Sequence, residues 1–147
     1  MKELELAAKA FGVKLQYLDV IESKDIGSAF RVAANERADG VTTIASAMIV
    51  AHRTQIAELA AKNRMAAIYH NSQFADAGGL MFYGVNIFDL DRRAATYVDR
   101  ILKGAKPADL PVEQPMKFDF VVNLKAAQQI GLTIPPNVLV RATRVIK

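Results

Sequence analysis

The sequence predicts an α/β fold: a parallel sheet with helices on both faces, in the three-layer Rossmann-like arrangement. Three observations carry this. Segments with a helical apolar spacing alternate with short β-branched or apolar runs from one end to the other. Alternating elements of this kind fold by right-handed βαβ crossovers. The chain has 147 residues, 52% of them apolar, which is enough for one sizeable core and too apolar for a disordered chain.

The elements follow in order. Leu4, Ala7, Ala8 and Phe11 share one helical face, and Gly12 is a natural stop. "VKLQYLDV" alternates Val13, Leu15 and Tyr17, predicting a strand near 13–20. "ESKDIGSAFRVAANERADG" is the next helix, with Ile26, Phe30, Ala33 and Arg37 along a face and Ser23 or Asp25 as its cap. "GVTTIA" is a β-branched strand near 41–45. Residues 49–63 form a helix with Ile49, Ile56, Leu59 and Ala60 inward. "MAAIY" is a third strand. A short helix near 72–77 ends at Gly78-Gly79, and "LMFYG" is a fourth strand. Residues 88–103 form the longest helix, which Gly104 stops. "KFDFVVNL" is a fifth strand, followed by a helix at 125–130 and a final helical stretch after Pro135-Pro136. The opening is unusual, because a doubly wound domain ordinarily begins with a strand. The expectation is that the first strand is missing.

Between the longest helix and the fifth strand lies "RILKGAKPADLPVEQP", with Pro107, Pro111 and Pro115. A connection inside an α/β unit needs about 2–6 residues. This one is longer, and its prolines hold it extended.

Charge and composition exclude several functions. Lysine and arginine number 19 against 15 acidic residues, a net charge of +4. The excess is spread along the chain without a basic run, and no nucleic-acid-binding signature accompanies it, so a solvated surface is the expected reading. There is no cysteine, which removes disulfides, thiolate zinc sites and cysteine nucleophiles. No apolar stretch approaches the roughly 20 residues that span a bilayer. The start, "MKELELAAKAFG", is an amphipathic helix and not a secretory leader. The chain as written is expected to stay in the cytoplasm.

An enzyme reading needs a constellation that is not in the sequence. His52 falls inside a predicted helix beside Arg53, as a surface residue. His70 lies where a general base could sit. No nucleophile elbow, paired carboxylates or metal-spaced ligands accompany it. "DAGGLMF" lacks the GxGxxG spacing of a dinucleotide site.

"HRTQIAELAAKNRMAAIY", "DAGGLMFYGVNIFDLDRRAATYVDRILKGAKPADLPVEQP" and "KFDFVVNLKAAQQIGLTIPPNVLVRAT" resemble the ABC-transporter substrate-binding proteins of the TrpX/YtrX-like type. Those have the type I periplasmic-binding-protein architecture. The likeness covers essentially the whole chain and is most specific over Arg92–Pro136. It implies two α/β lobes joined by several crossings, with a small organic solute held between them and no cofactor. By this resemblance the chain is the carboxy-terminal part, lacking the N-terminal lobe, the first strand of its own lobe and an export signal. Residues 1–84 would form the lobe body. Residues 85–116 would be the inter-lobe crossing helix and proline-rich connector, and 117–147 the returning strand and terminal helices. The resemblance also implies an ABC permease as partner of the full-length protein and an extracytoplasmic location.

In an open parallel sheet, ligands sit beyond the carboxyl ends of the strands. That rim is Glu22-Ser23, Ser46-Ala47-Met48, His70-Asn71-Ser72 and Tyr83-Gly84. The candidate ligand-binding residues are Ser46, His70, Asn71 and Tyr83. Their neutral hydrogen-bonding groups, with Met48, Phe74 and the tyrosines beside them, suit a small organic molecule. Ser46 fits a helix cap equally well, and Tyr69 reads as core. The resemblance singles out Tyr83, because it places "YG" at the crossing beside the cleft. Relatives often carry a proline with a polar or acidic residue after the second strand. Here the stretch is "IASAMIV", which has no carboxylate for a ligand ammonium group.

Helix 88–103 carries Ala94, Ala95, Val98, Ile101 and Leu102 along one face. With no second lobe to cover them, the expectation is a homo-oligomer through this helix. A truncated, self-associating protein without a transport role is the alternative to solute binding.

Overall fold

The computed structural model describes residues 2–147. Helix α1 (Lys2–Ala10) ends where expected: Gly12 takes φ 65°, and the Val13 amide donates back to the Ala8 carbonyl at 2.8 Å. The expected strand at 13–20 does not form. Leu18 and Val20 pack on the core, but no backbone ladder joins the segment to the sheet. Alternation licenses a strand only when a neighbour takes up its amides and carbonyls. The sheet's first strand, β1 (Gly40–Thr42), pairs with β2 (Ala66–Tyr69) and does not pair with 13–20.

Helix α2 (Asp25–Asn35) buries Ile26, Phe30 and Ala33. Neither Ser23 nor Asp25 caps it, because Lys24 holds the cap position. The Asp25 carboxylate instead turns back to accept the amides of Ile21 and Glu22. Arg37 is not on the helical face, because the helix has already stopped. With no glycine available, Arg37 itself takes the left-handed conformation (φ 59°), and the Ala38 amide reaches Ala33 O at 2.9 Å. The same device ends α4 (Arg53–Lys62): Arg64 takes φ 54°, and the Met65 amide donates to Ala60. Both chains then drop directly into a strand.

The helix expected at 49–63 is two helices, α3 (Ala47–Ala51) and α4, broken at His52. His52 is half-buried rather than on the surface. Its Nδ1–H donates to the Met48 carbonyl at 2.9 Å, a side-chain bond that competes with the helical ladder. Helix α4 is central to the core and touches α2, β2, α5 (Gln73–Asp76) and α7 (Leu124–Ile130). It buries Ile56, Ala57 and Ala60 against Tyr69, Phe74 and Val122. A smaller cluster joins Ala75, Phe82 and Val121, with Ile146 against it.

The sheet has five strands in the order β1-β2-β3-β4-β5. β1, β2 and β3 (Met81–Val85) run parallel, as do β4 (Phe118–Asn123) and β5 (Arg144–Ile146). β3 and β4 are antiparallel, with Met81 opposite Val122 and Val85 opposite Phe118. The sheet is therefore mostly parallel. The departure has a mechanical cause: the chain leaves β3 into α6 (Ile87–Leu102) and returns at the same end, where the Asn86 amide donates to Lys117 O at 3.0 Å. A chain that comes back to the end it left must run the opposite way.

After α6, Gly104 turns the chain at φ 99°. Residues 105–116, with one 3-10 turn at Pro107–Asp109, run back along the helix. The Tyr97 hydroxyl donates to the Pro111 carbonyl at 2.6 Å, and Arg93 pairs with Glu113. Helix and connector thus zip into one arm. None of the sixteen residues of α6 is buried. The final stretch also differs from expectation. Only Pro136–Leu139 is helical (α8), and the chain then adds β5, whose three residues are too short to show a periodicity.

Candidate functional site

A parallel sheet gathers the residues that follow its strands along one rim. Thr43 and Ser46 follow β1, and His70, Asn71 and Ser72 follow β2. Gly84, two residues past the last β3 position paired with β2, lies beside them: a Cβ placed on Gly84 would lie 3.3 Å from His70 O. That Cβ would also strike the Phe82 ring at 2.8 Å, so only glycine lets β3 pass this point. Because β4 is antiparallel, its first residues, Phe118 and Asp119, stand at the same rim.

The side chains divide into two groups. The polar group centres on His70, half-buried, whose Nδ1 lies 3.1 Å from the Thr43 hydroxyl. The hydroxyl donates when Nδ1 is bare and accepts when it is protonated, so Thr43 fixes the ring in either tautomer. The Phe74 ring packs 6.0 Å from the imidazole on another side. Asn71 turns its Oδ1 onto the Gln73 amide at 2.9 Å, which starts α5 and leaves its NH2 group unengaged by any described residue. Ser46 holds the cap position of α3 in extended geometry, but its hydroxyl makes no capping bond and the residue is exposed.

The aromatic group lies on the β3–β4 pair. Side chains of directly opposed residues point to one face, so Tyr83, opposite Phe120, shares a face with Phe118 two residues on. The Tyr83 and Phe118 rings stack at 5.9 Å and 12°, and Phe120 meets Tyr83 edge-on at 6.3 Å. Tyr83 is 56% exposed. This is a flat, open aromatic surface with a phenol at its edge.

The rim thus carries Ser46 after β1 and His70 and Asn71 after β2, with Tyr83 on the adjoining strand pair. Sequence reasoning missed Thr43 and Phe118. Thr43 directly follows the β-branched run of β1, and parallel pairing with β2 puts it level with Tyr69 and next to His70, which is a readable signal. Phe118 needs the antiparallel register.

Tyr69, at the end of β2, is core as expected. It is 2% exposed, stacks on Phe74 at 4.3 Å, and its hydroxyl has no partner among the described residues. Burial pushes its phenol pKa up. No described residues form a cluster suited to a metal ion, and no described helix is long and apolar enough to cross a membrane. A broad depression lined by Leu124, Gln128, Thr133 and Ile134 lies at the opposite end of β4. It is open, carries no titratable group and is not part of the rim.

Comparison with known proteins agrees with this architecture. The chain is 28% identical to a conserved domain protein from Vibrio cholerae O1 biovar El Tor, with a TM-score of 0.87 over 99% of this chain and 49% of that one. It is 26% identical to an ABC domain from Streptococcus pneumoniae, solved in complex with L-Trp, with the same TM-score and coverage. A substrate binding protein with adhesive properties from Clostridium difficile, at 19% identity and a TM-score of 0.73, shares the fold. The chain spans about half the length of each of these structures. No curated protein matches it. The family model for ABC transporter substrate binding proteins matches residues 1–146, and the chain belongs to that family.

Proposed function

We propose that this chain is one lobe of the solute-binding component of an ABC import system. It would offer the rim of Thr43, Ser46, His70, Asn71 and Tyr83 to a small organic solute that a second lobe closes over. The observation that carries the reading is the rim itself. Neutral hydrogen-bonding groups stand beside an exposed, stacked aromatic pair at the carboxyl ends of parallel strands. Binding proteins need such a surface half-formed, and they need no nucleophile or acid–base pair. The likeness to a domain solved with L-Trp supports an aromatic or heterocyclic ligand stacked on Tyr83. The rim segment Ser46–Met48 has no carboxylate, which supports recognition by neutral donors and acceptors over capture of an ammonium group. In this reading the body, the arm of residues 85–116 and the returning strand are the lobe, the crossing and its return. The full-length protein works outside the cytoplasm and docks on a permease, and it turns nothing over.

One lobe supplies half a cleft, and full clefts bury most of their ligand. The isolated chain should therefore bind only weakly. Amide NMR spectra recorded during titration with L-tryptophan, indole and unrelated amino acids test this. The expected result is weak, saturable shifts at Thr43, Ser46, His70, Asn71 and Tyr83, abolished by Tyr83→Ala. Shifts centred elsewhere, or none with any aromatic compound, would refute the assignment. Tight binding by a confirmed monomer would refute the half-cleft argument.

A further inference from the structure

The imidazole of His70 is held from two sides and left open at one atom. Its Nδ1 lies 3.1 Å from the hydroxyl of Thr43, the residue that follows β1. Its ring packs 6.0 Å from Phe74, which is itself fully buried and stacked on Tyr69. The other ring nitrogen, Nε2, makes no hydrogen bond to a described residue. It is not a buried orphan either, because the Tyr69 hydroxyl is the only such side-chain atom among the described residues. Nε2 is therefore open to solvent at the rim. The anchor at Nδ1 has a property that a charged partner lacks. A carboxylate only accepts and an ammonium only donates, whereas a hydroxyl does both. Thr43 thus holds Nδ1 whether or not that atom carries the single proton of a neutral ring. In one tautomer the open Nε2 is an acceptor, and in the other it is a donor, with the ring in the same place. Neighbouring Asn71 is different. Its Oδ1 is engaged by the Gln73 amide, so only its NH2 group is offered outward.

We propose that Thr43 is a positioning residue that sets the specificity of the rim: it holds His70 with Nε2 toward the solute, and it lets Nε2 answer either a donor or an acceptor on the solute's edge. This rests on the solute-binding reading above and deepens it. Stacking on Tyr83 holds a flat ring by its area and does not tell one flat ring from another. Orientation and choice come from the few polar groups around such a surface. His70 is close enough to supply one, since its carbonyl approaches Gly84, the residue after Tyr83. A ring already fixed by Thr43 and Phe74 loses little freedom when it bonds a solute. The rim then takes two classes of planar heterocycle, those with a ring N–H and those with a bare ring nitrogen or a carbonyl. It disfavours rings of the same shape that have neither. A fixed donor or a fixed acceptor in place of this pair would take one class only.

Nitrogen-15 spectra of the imidazole read the pair without any solute, at about pH 8, where an imidazole is ordinarily neutral. Thr43→Val keeps the β-branched shape and removes the hydroxyl. It should shift the His70 ring signals, and Thr43→Ser should restore them, with circular dichroism checking that each variant folds. Three probes then read the role in binding: indole, which has a ring N–H, N-methylindole, which lacks it, and quinoline, which has a bare ring nitrogen. The wild type should hold indole roughly two- to tenfold tighter than N-methylindole, as one ordinary hydrogen bond allows. Thr43→Val should bring these two close to parity, and Thr43→Ser should keep them apart. Bound indole should leave the His70 proton on Nδ1, and bound quinoline should move it to Nε2. A Thr43 that only supports the fold would weaken all three probes alike, which would overturn the proposal. So would ring signals that Thr43→Val leaves unchanged, or one tautomer with both indole and quinoline. In each of those cases, probes that still bind at the rim leave the solute-binding reading standing. A wild type that binds none of the three would overturn that reading, and this role with it, whatever the ring signals show of the contact.

Discussion

Replacing Tyr69 by phenylalanine should make this protein more stable. The Tyr69 ring is fully packed, 4.3 Å from Phe74 and nearly parallel to it, and phenylalanine keeps that stack. The hydroxyl is the problem. It is buried without a partner, and leaving such a group unsatisfied costs about 1–3 kcal/mol. The small cavity beside it is lined by alanines, Met65, Leu80 and Ile130, which offer a water few of the polar partners it needs. Deleting one oxygen leaves a void of roughly 15 Å³, worth about 0.4 kcal/mol at about 24 cal/mol per Å³. The net gain is then about 1–2 kcal/mol. For a chain of this size that is a rise in Tm of about 3–6 °C. The sign of the pH effect follows from the raised pKa. Above the unfolded phenol's pKa of about 10, the unfolded chain gives up a proton that the folded chain keeps. Wild-type stability therefore falls with pH in that range, by at most about 1.4 kcal/mol per unit. The variant lacks this term, so its advantage should widen above pH 10. Tyr17, also raised, is common to both proteins and cancels. Urea denaturation followed by circular dichroism at pH 7 and at pH 10.5 (above the phenol's ordinary pKa,) measures both effects. A variant less stable than wild type by about 1 kcal/mol or more would show that the hydroxyl has a partner, since that is what a lost buried bond costs. Parallel pH slopes would refute the burial argument.

Asn86→Ala should lower stability by about 2 kcal/mol in the same assay. It removes the α6 cap on Asp89 N at 2.8 Å, worth about 1 kcal/mol, and strands Asp119, to which Asn86 Nδ2 donates at 2.7 Å. Asn86→Asp keeps the cap acceptor but opposes Asp119, so it should recover little. Gly79→Ala should cost about 1–3 kcal/mol, because its Cβ would lie 2.6 Å from the Tyr69 ring and 2.7 Å from Phe74 O. A neutral result in a thermal melt would mean that this turn can shift. At Arg64, held at φ 54°, glycine should be tolerated, while valine should destabilise by about 1–2 kcal/mol. Equal melting temperatures for the two variants would contradict the left-handed geometry.

The elements that could be read from sequence are those whose partners lie nearby. Helices α2, α4 and α6 each show three or more apolar residues at helical spacing, and strands β1 to β4 are β-branched or aromatic runs between turn residues. The failure at 13–20 is the converse. Its alternation is as clear as that of β4, but alternation describes side chains, and a ladder depends on which backbone comes alongside. Direction was equally hidden. Nothing in "FDFVVN" distinguishes a parallel from an antiparallel strand; the arm's return point decides it. At the rim, His70, Asn71 and Ser46 were visible as polar residues following strands. The Thr43–His70 contact joins residues 27 apart and needs the β1–β2 pairing to be known. Asn86 had a local signal, an asparagine followed by an acidic first turn, but its bond to Asp119 spans 33 residues.

The zipped arm bears on the order in which the chain assembles. β3 and β4 end with Val85 opposite Phe118, so their pairing encloses the 32 residues 86–117. As a loose loop, that segment would cost about 2.5 kcal/mol more closure entropy than a two-residue turn. It is not loose. Tyr97 on Pro111 and Arg93 on Glu113 join residues only 14 and 20 apart. If α6 and its connector close first, they deliver Phe118 to Val85 with most of the loop already ordered. The prolines then serve the folding reaction as well as the finished shape: they lower the entropy of the strand that must return, before there is a sheet for it to join.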